Sequence, residues 1–189
     1  ATAITPTILP AGNVSLNAVR LLVDFMGASM SVSLHDPITC SQQLATLAIT
    51  LHKQQVPAHE AGHVITTITD ALTQRLIYLA QQQLGEAPCV FSWLAFGSQA
   101  RMDQSLNADQ DNALLLEKEP SGAVADYFSA LADFVCQGLA RCGIPLCPGN
   151  IMATNPELRL SLKGWSTRFA RWAPASPRPT GATRSRAFR

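Results

Sequence analysis

The chain has 189 residues, 47% of them apolar and 14% charged, and its 14 basic and 13 acidic side chains leave a formal net charge of +1. A chain this long and this apolar can bury a sizeable core, which excludes wholesale disorder. The charge balance argues against a general nucleic-acid-binding protein. No window of about eighteen uncharged apolar residues suggests a membrane span, and residues 1–10 lack the pattern of a signal peptide.

The cysteines show no pairing pattern. Disulfide scaffolds and zinc knuckles need better spacing than these five provide, and there is no CxxC pair. We therefore interpret them as reduced, buried thiols and expect a cytoplasmic protein. They are Cys40, Cys89, Cys136, Cys142 and Cys147.

The first part of the chain is weakly patterned. Residues 1–38 are rich in Pro, Gly, Ser and Thr, with a helix-like stretch from Leu16 to Met26 and a short apolar alternation from Ser29 to Leu34. We interpret this region as a linker or the remnant of an upstream module.

Two amphipathic helices are predicted next. Apolar side chains recur at three- and four-residue steps over 39–56 and again from about Ala58 to Leu84. Pro57 separates the two helices, and Gly85 stands where a helix end favours glycine. Helices of this kind predict an antiparallel helical hairpin or part of a bundle.

The pattern changes to shorter elements after Pro88. Apolar runs predict strands, helical spacing predicts helices, and Gly and Pro mark their ends. We predict an α+β protein, in which a helical N-terminal part over 39–87 packs on a small mixed sheet within 88–173, followed by a flexible tail over 174–189. The predicted elements are strands at Val90–Phe96 and Asp109–Leu116, a turn at Glu117–Gly122, a helix at Ala123–Cys142, a short strand-like segment at Ile144–Ala153 and a helix at Leu162–Trp172.

One candidate site begins at a glycine-serine turn. A glycine after a strand, here Gly97, lets backbone N–H groups approach a phosphate closely. The hydroxyl of Ser98 can donate to a phosphate oxygen, and a helix opening there would favour anions. Arg101 can pair with phosphate oxygens.

Two carboxylates follow on the next predicted strand. Residues i and i+2 of a strand point to the same face, so Asp109 and Asp111 are predicted to lie about 7 Å apart along it. Two like charges so placed repel each other unless a cation lies beside them. Oxygen ligands of this kind suit Mg²⁺ or Mn²⁺, which can clamp a triphosphate.

The stretch FSWLAFGSQARMDQSLNADQDNA, from Phe91 to Ala113, resembles the nucleotidyltransferase domain of bacterial signalling proteins that often follows CBS and cyclic-nucleotide-binding modules. That domain is similar to the catalytic domain of protein-PII uridylyltransferase, within the polymerase-beta-like nucleotidyltransferase superfamily. Residues Asp70–Thr73, Gly143–Ala153 and Leu162–Trp172 resemble the same family, and the resemblance covers roughly residues 41–177.

The resemblance implies a nucleotidyltransferase fold for residues 88–173 and a role for each site residue. Gly97 and Ser98 would hold the β- and γ-phosphates of a nucleoside triphosphate, and Arg101 would assist. Asp109 and Asp111 would hold two Mg²⁺ ions. A hydroxyl of a regulatory protein, or of a small molecule, would then attack the α-phosphorus in a signal-transduction reaction, and pyrophosphate would leave.

The chain departs from the superfamily in one respect. The superfamily uses a third carboxylate on a later strand, but no Asp or Glu lies between Asp133 and Glu157, and Asn150 stands where that carboxylate is expected. Either Glu157 serves, or a residue outside this chain does, or only nucleotide binding survives. The alternative function is therefore a non-catalytic nucleotide-sensing or scaffold module of a signalling protein.

A literal HExxH motif suggests a different chemistry. His59, Glu60 and His63 have the spacing of zinc proteases, which also need a third protein ligand. The next acids, Asp70 and Glu86, lie too far along a continuous helix to complete such a site. We interpret the motif as an exposed, polar helix start.

An aromatic stripe near the C-terminus is the last candidate. Trp165, Phe169 and Trp172 lie beside Arg168 and Arg171 and offer a stacking surface for nucleic acid. Such a stripe is more typical of a core or an inter-domain contact, which is the interpretation we adopt.

Overall fold

The computed structural model describes residues 37–172. Five α-helices, one short 3₁₀ turn and a three-stranded mixed sheet make up this part of the chain, which confirms the α+β prediction. The predicted helix Leu16–Met26, the alternation Ser29–Leu34 and the tail 174–189 lie outside the described residues. The elements are α1 (Pro37–Lys53), α2 (Ala58–Leu84), β1 (Phe91–Ala95), α3 (Gly97–Ala100), β2 (Asn112–Leu116), α4 (Ala123–Arg141), the 3₁₀ turn (Pro156–Leu158), β3 (Arg159–Ser161) and α5 (Leu162–Trp172).

The two predicted N-terminal helices are both present. Helix α1 ends at Lys53, three residues before the predicted end, and Pro57 precedes α2. Helix α2 has the predicted bounds and is followed by Gly85, whose φ of 88° is in the region that glycine adopts without strain. The Gly85 N–H donates to the carbonyl oxygen of Gln81 and so closes the last turn.

Helix α4 joins the helical part to the sheet. Its apolar face packs on α1 and α2, and Gly138 permits a close approach because a Cβ there would lie 2.5 Å from Leu76 Cδ2. The helical N-terminal part and α4 therefore share one hydrophobic core. The buried residues of this core include Leu44, Leu47, Leu51, Val64, Ile68, Leu72, Leu76, Leu131, Val135 and Leu139.

Strand β2 is the central strand of the sheet. It pairs antiparallel with β1 and parallel with β3, in the order β1-β2-β3. Leu114 and Leu116 pack on Phe128 of α4, whereas Ala113 packs on the other face with Trp165 of α5. A central strand covered on both faces is expected to read as a nearly continuous apolar run, as β2 does.

Two of the strand predictions are wrong. Strand β2 begins at Asn112 rather than at Asp109, because the N–H of Gln110 donates to Pro145 O and not to a strand. The segment Ile144–Ala153 is a loop that turns where Asn150 N donates to the carbonyl oxygen of Cys147. Its place as third strand is taken by β3, which lies further along the chain.

The aromatic stripe on α5 contributes to the core at one position. Trp165 is 3% exposed, and its indole N–H donates to Leu114 O at 3.0 Å. Phe169 stacks against Trp165 but is half exposed, and Leu162 is 70% exposed and does not continue the buried face. The side chain of Trp172 lies outside the described residues.

None of the helices within residues 37–172 has the length and apolar character that a membrane span needs.

Candidate active site

The glycine-serine turn lies at the end of β1, where the chain leaves the sheet. Gly97 has φ of 56° and opens α3, which is a single helical turn. The preceding residue, Phe96, donates its N–H to Asp111 O at 2.9 Å, so the β1–β2 ladder continues one pair beyond the strands. The turn and the aspartate are therefore held side by side by backbone hydrogen bonds.

Gly97 is in direct contact with a carboxylate. A Cβ at this position would lie 2.5 Å from Asp111 Oδ2, which is closer than real Cβ contacts. Because φ is positive as well, an L side chain at position 97 would be strained and would also displace the carboxylate. The carboxylate of Asp111 therefore lies against the glycine-serine turn.

Burial alternates along the four residues that enter β2. Gln110 and Asn112 are 2% and 1% exposed, whereas Asp109 and Asp111 are half-buried. This two-residue period places both carboxylates on the side opposite the buried amides. The pair thus shares one face although neither residue belongs to a strand.

The side-chain amides of Gln110 and Asn112 attach residues 109–112 to the protein interior. Gln110 Nε2 donates to Cys136 O at 3.0 Å and to Ile144 O at 2.9 Å. Asn112 Oδ1 accepts from Ala153 N at 2.8 Å. Buried amides with satisfied hydrogen bonds fix a single backbone path, so the orientation of the carboxylates is specified by the residues between and beside them.

A loop is held against the same segment by its backbone. Pro145 O accepts from Gln110 N at 2.9 Å, and Ile151 O accepts from Asn112 N at 3.0 Å. Cys147 lies between these two attachment points. The loop is therefore fixed on both sides of Cys147.

Three side chains meet at this place. One carboxylate oxygen each of Asp109 and Asp111 and the sulfur of Cys147 all lie within 4.8 Å of one another, and all three residues are half-buried. No other group of three His, Cys, Asp or Glu side chains comes together in this way within residues 37–172. Burial raises the pKa of the Cys147 thiol, and its hydrogen bonds to the two carboxylates also raise it.

The donor set of this cluster fits a divalent cation. Two carboxylates so close together repel each other, and a bound cation relieves that repulsion. Carboxylate oxygens are ligands for Mg²⁺ and Mn²⁺, and carboxylate together with thiolate is a donor set for Zn²⁺-like ions. Sequence reasoning found the two acids and missed Cys147.

Not all of the described cysteines are buried, contrary to the sequence prediction. Cys136 and Cys142 are buried as predicted, but Cys89 and Cys147 are only half-buried. Cys147 is exposed in part because it lies in a loop between prolines rather than on an apolar helix face. That local composition was a signal that this cysteine is not a core residue.

Arg101 is on the surface beside the turn. Its Nε donates to Asp103 Oδ2 at 3.1 Å, and both side chains are more than half exposed. The carbonyl oxygen of Ser98 accepts from Asp103 N at 3.0 Å, so Asp103 links the two predicted phosphate-binding residues. An exposed pair of this kind contributes little stability and opens at little cost.

Helix α2 supports the turn from the other side. Asp70 Oδ1 accepts from Gln99 Nε2 at 2.8 Å, and Gln99 is the residue after Ser98. Burial raises the pKa of Asp70, and the hydrogen bond from Gln99 partly offsets this. From the sequence, Asp70 was only part of a resembling segment and a rejected zinc ligand, so its contact with the turn was missed.

The candidates for a third carboxylate are not gathered with the pair. Glu157 has 71% of its side chain exposed and binds Arg168 Nη1 at 3.2 Å. Asn150 is exposed in the loop after Cys147, with φ of 55°. Among the His, Cys, Asp and Glu side chains of the described residues, that of Cys147 is the third member of the group with the two aspartates.

The HExxH residues do not form a metal site within the described chain. His59 is exposed, Glu60 is buried and His63 is half-buried, with Nδ1 shielded from solvent and without a hydrogen-bond partner. No third ligand from residues 37–172 joins them. The start of α2 is polar, as expected, but Glu60 is not exposed.

The chain matches a known protein family. Residues 42–179, well over half of the chain, match the family described as Putative nucleotidyltransferase DUF294. Neither a curated protein nor a solved structure gives a significant match. The matched range contains the glycine-serine turn, the acidic pair and Cys147.

Proposed function

The chain belongs to the Putative nucleotidyltransferase DUF294 family, and on that premise we propose that it is a metal-dependent enzyme that moves a nucleoside monophosphate from a nucleoside triphosphate to a hydroxyl group. Nucleotidyl transfer is the general activity that the family indicates. The acceptor that we propose is a protein, as in protein-PII uridylyltransferase, or a small molecule, and the reaction belongs to signal transduction.

The observation that carries the proposal is the contact between the acidic pair and the turn. Asp111 lies against the Gly97 backbone, and Asp109 shares its face. A cation held by both carboxylates would therefore be beside the backbone that a polyphosphate can approach. Such a cation, Mg²⁺ or Mn²⁺, supplies charge neutralisation for the transferred and leaving phosphates.

The side chains and backbone of this site have separate roles in binding the metal and the triphosphate. Asp109 and Asp111 hold the cation. The backbone at Gly97 and the hydroxyl of Ser98 donate to the β- and γ-phosphates, and Arg101 leaves its exposed partner to pair with a phosphate oxygen. The acceptor hydroxyl oxygen bonds to the α-phosphorus and releases its proton to solvent, while the bond to the bridging oxygen breaks and its electron pair leaves with pyrophosphate.

One observation favours the second candidate, a non-catalytic nucleotide-sensing or scaffold module. No third carboxylate accompanies Asp109 and Asp111 among the described residues. If a third acid is essential for turnover, this chain binds a nucleoside triphosphate without transferring it. Both candidates share the same nucleotide and metal contacts, so only a transfer assay separates them.

The experiment is incubation of the protein with each α-labelled nucleoside triphosphate, Mg²⁺ or Mn²⁺, and cell lysate. We expect metal-dependent transfer of label to one acceptor, with protein and small-molecule acceptors separated by size. The transfer is expected to vanish in Asp109→Asn and to persist in Asp126→Asn, an exposed aspartate on α4. Nucleotide binding without transfer would support the sensing module, and transfer that survives Asp109→Asn would refute the assigned site.

A further inference from the structure

The acidic pair shares its site with a sulfur atom whose function the proposed reaction does not explain. Cys147 is half-buried, is not part of a disulfide, and lies with its sulfur within 4.8 Å of a carboxylate oxygen of each aspartate. A nucleotidyl transfer that used only Mg²⁺ would gain nothing from a thiol here, because Mg²⁺ prefers oxygen ligands.

The loop geometry holds this sulfur in place. Backbone hydrogen bonds at Pro145 O and Ile151 O fix the loop on both sides of Cys147. The N–H of Cys147 itself donates to Met152 Sδ at 3.3 Å, and Met152 is buried. The position of the sulfur beside the aspartates is therefore determined by backbone contacts and a buried side chain, and not by a mobile surface loop.

The distances are compatible with a single ion. In a tetrahedral site, zinc bonds of about 2.0–2.2 Å to oxygen and about 2.3 Å to sulfur put the ligand atoms about 3.3–3.7 Å apart. Atoms up to 4.8 Å apart reach this spacing when side-chain rotations bring them about 1 Å closer together. A coordinated thiol is deprotonated by the metal, so two carboxylates and a thiolate would together face the cation.

We propose that Cys147 is the third protein ligand of the metal site, and that the site therefore selects a zinc-like divalent transition metal over Mg²⁺. The proposal rests on the proposed function in that the same two aspartates hold the ion, and it replaces Mg²⁺ by a zinc-like ion as the preferred metal of that site. It explains why the loop brings a cysteine to the acidic pair while Glu157, one candidate for the third acid, lies exposed beside Arg168. Open coordination positions remain for phosphate oxygens or water, as a catalytic site requires.

The test uses Co²⁺ as a spectroscopic substitute for Zn²⁺, with the purified 189-residue chain, no nucleotide and a phosphine reductant. A cobalt–thiolate bond gives a near-ultraviolet charge-transfer band that cobalt bound by oxygen alone lacks. We expect this band at one Co²⁺ per chain. Addition of Zn²⁺ should remove it, and a hundredfold excess of Mg²⁺ should leave it in place.

Three variants make the result specific to Cys147. Cys147→Ser replaces sulfur by a hard oxygen, so it should abolish the band and reduce the preference for Zn²⁺ over Mg²⁺ at least tenfold. Cys147→Ala provides the same test where serine disturbs the loop, with far-ultraviolet circular dichroism to confirm folding. Cys89→Ser is the matched control, because Cys89 is also half-buried but lies outside the cluster, and it should leave the band unchanged.

The cobalt experiment and the transfer assay can fail independently, so failure of Cys147 as a ligand is distinguishable from failure of the proposed enzymatic activity. A band that is absent, that survives in folded Cys147→Ser, or that disappears in Cys89→Ser overturns the role of Cys147, whatever the transfer assay shows. Conversely, a band that depends on Cys147 in a protein that transfers no nucleotide keeps the metal site and removes the enzymatic assignment.

Discussion

At the scale of single residues, the site depends on a glycine and two buried amide side chains as much as on the two aspartates. Gly97 has a positive φ and lies against the carboxylate of Asp111, and glycine is the residue type that satisfies both conditions without strain. Gln110 and Asn112 use buried amides to hold the two aspartates on one face. The proposed activity therefore depends on the orientation of the two carboxylates, and a displacement of about 1 Å is expected to lower the reaction rate strongly.

We expect Gly97→Ala to reduce nucleotidyl transfer and metal binding by roughly 100-fold, because the added methyl group pushes Asp111 Oδ2 out of position. The backbone strain alone costs about 1–2 kcal/mol of folding stability. The measurements are the label-transfer rate and calorimetric titration with Mn²⁺.

Gly122→Ala is the control for strain in that experiment. Gly122 has a φ of 50°, close to that of Gly97, but a Cβ there would meet nothing within 4 Å. The stability loss should be similar while transfer and metal binding stay unchanged. Equal functional losses in both variants, or no functional loss in Gly97→Ala, would contradict the contact that we describe.

The buried thiol of Cys136 is expected to make the folding stability depend on pH in the alkaline range. Burial raises the pKa of Cys136 from its ordinary value of 9.0 to about 12. The unfolded chain thus releases this proton at a lower pH than the folded chain, so stability falls as pH rises above 9.0, by at most about 1.4 kcal/mol per pH unit. Urea unfolding at pH 8 to 10.5 measures this loss.

Cys136→Ala isolates the contribution of that thiol to the pH dependence. The variant is less stable at every pH because it leaves a cavity, but its stability should decline less steeply above pH 9 than that of the wild type. Parallel declines in the two proteins would show that the titration of Cys136 does not control alkaline stability.

At the scale of elements, the site is assembled where three pieces of chain meet at one end of the sheet. Strand β1 delivers the turn, the approach to β2 delivers the aspartates, and the loop 144–153 delivers the cysteine. Helix α2 packs behind the turn, where a Cβ on Gly62 would lie 3.0 Å from Asp103 Cα and where Asp70 binds Gln99.

We expect Asp70→Ala to loosen the turn from α2 and to cost about 1–3 kcal/mol, since it leaves the Gln99 amide without its acceptor. Asp70→Asn keeps a carbonyl oxygen at the same place and should cost less than half as much. Chemical denaturation measures both. An Asp70→Asn cost equal to that of Asp70→Ala would show that this hydrogen bond is not what joins the two elements.

The sequence predicted those elements whose side chains repeat regularly. Helix α2 was bounded correctly because apolar residues follow one face throughout and Pro57 and Gly85 mark its ends. Strand β3 was missed because Arg159, Leu160 and Ser161 are too few to show a period, and its pairing with β2 is a long-range contact.

The candidate site divides in the same way. Asp109, Asp111 and Gly97 could be identified from local spacing, since a turn and an i, i+2 pair are local features. Cys147 could not, because its approach depends on hydrogen bonds between segments distant in sequence.

At the scale of the whole molecule, residues 37–172 are joined by a core that crosses the predicted boundary between the helical part and the sheet. Leu51 of α1 lies in the same cluster as Leu131 and Leu139 of α4, and α4 also covers the sheet through Phe128. Helices α1 and α2 thus stabilise the sheet that carries the site, through their shared contacts with α4.

This shared core predicts a single unfolding transition. Far-ultraviolet circular dichroism, which reports the helices, and tryptophan fluorescence, which reports the sheet through Trp93 and Trp165, should give coincident curves. Leu51→Ala should shift both curves together by about 2–5 kcal/mol, whereas Ile49→Ala, at an exposed position on the same helix, should shift neither by more than about 0.5 kcal/mol. Separate transitions would mean that the two parts fold independently.

The most direct measurement is a crystal structure of the protein soaked with Mn²⁺ and a non-hydrolysable nucleoside triphosphate. Our account predicts an anomalous peak bonded to Asp109 and Asp111, with the triphosphate over the backbone of Gly97 and Ser98. Ordered Mn²⁺ and nucleotide bound elsewhere, with both aspartates free of metal, would contradict it.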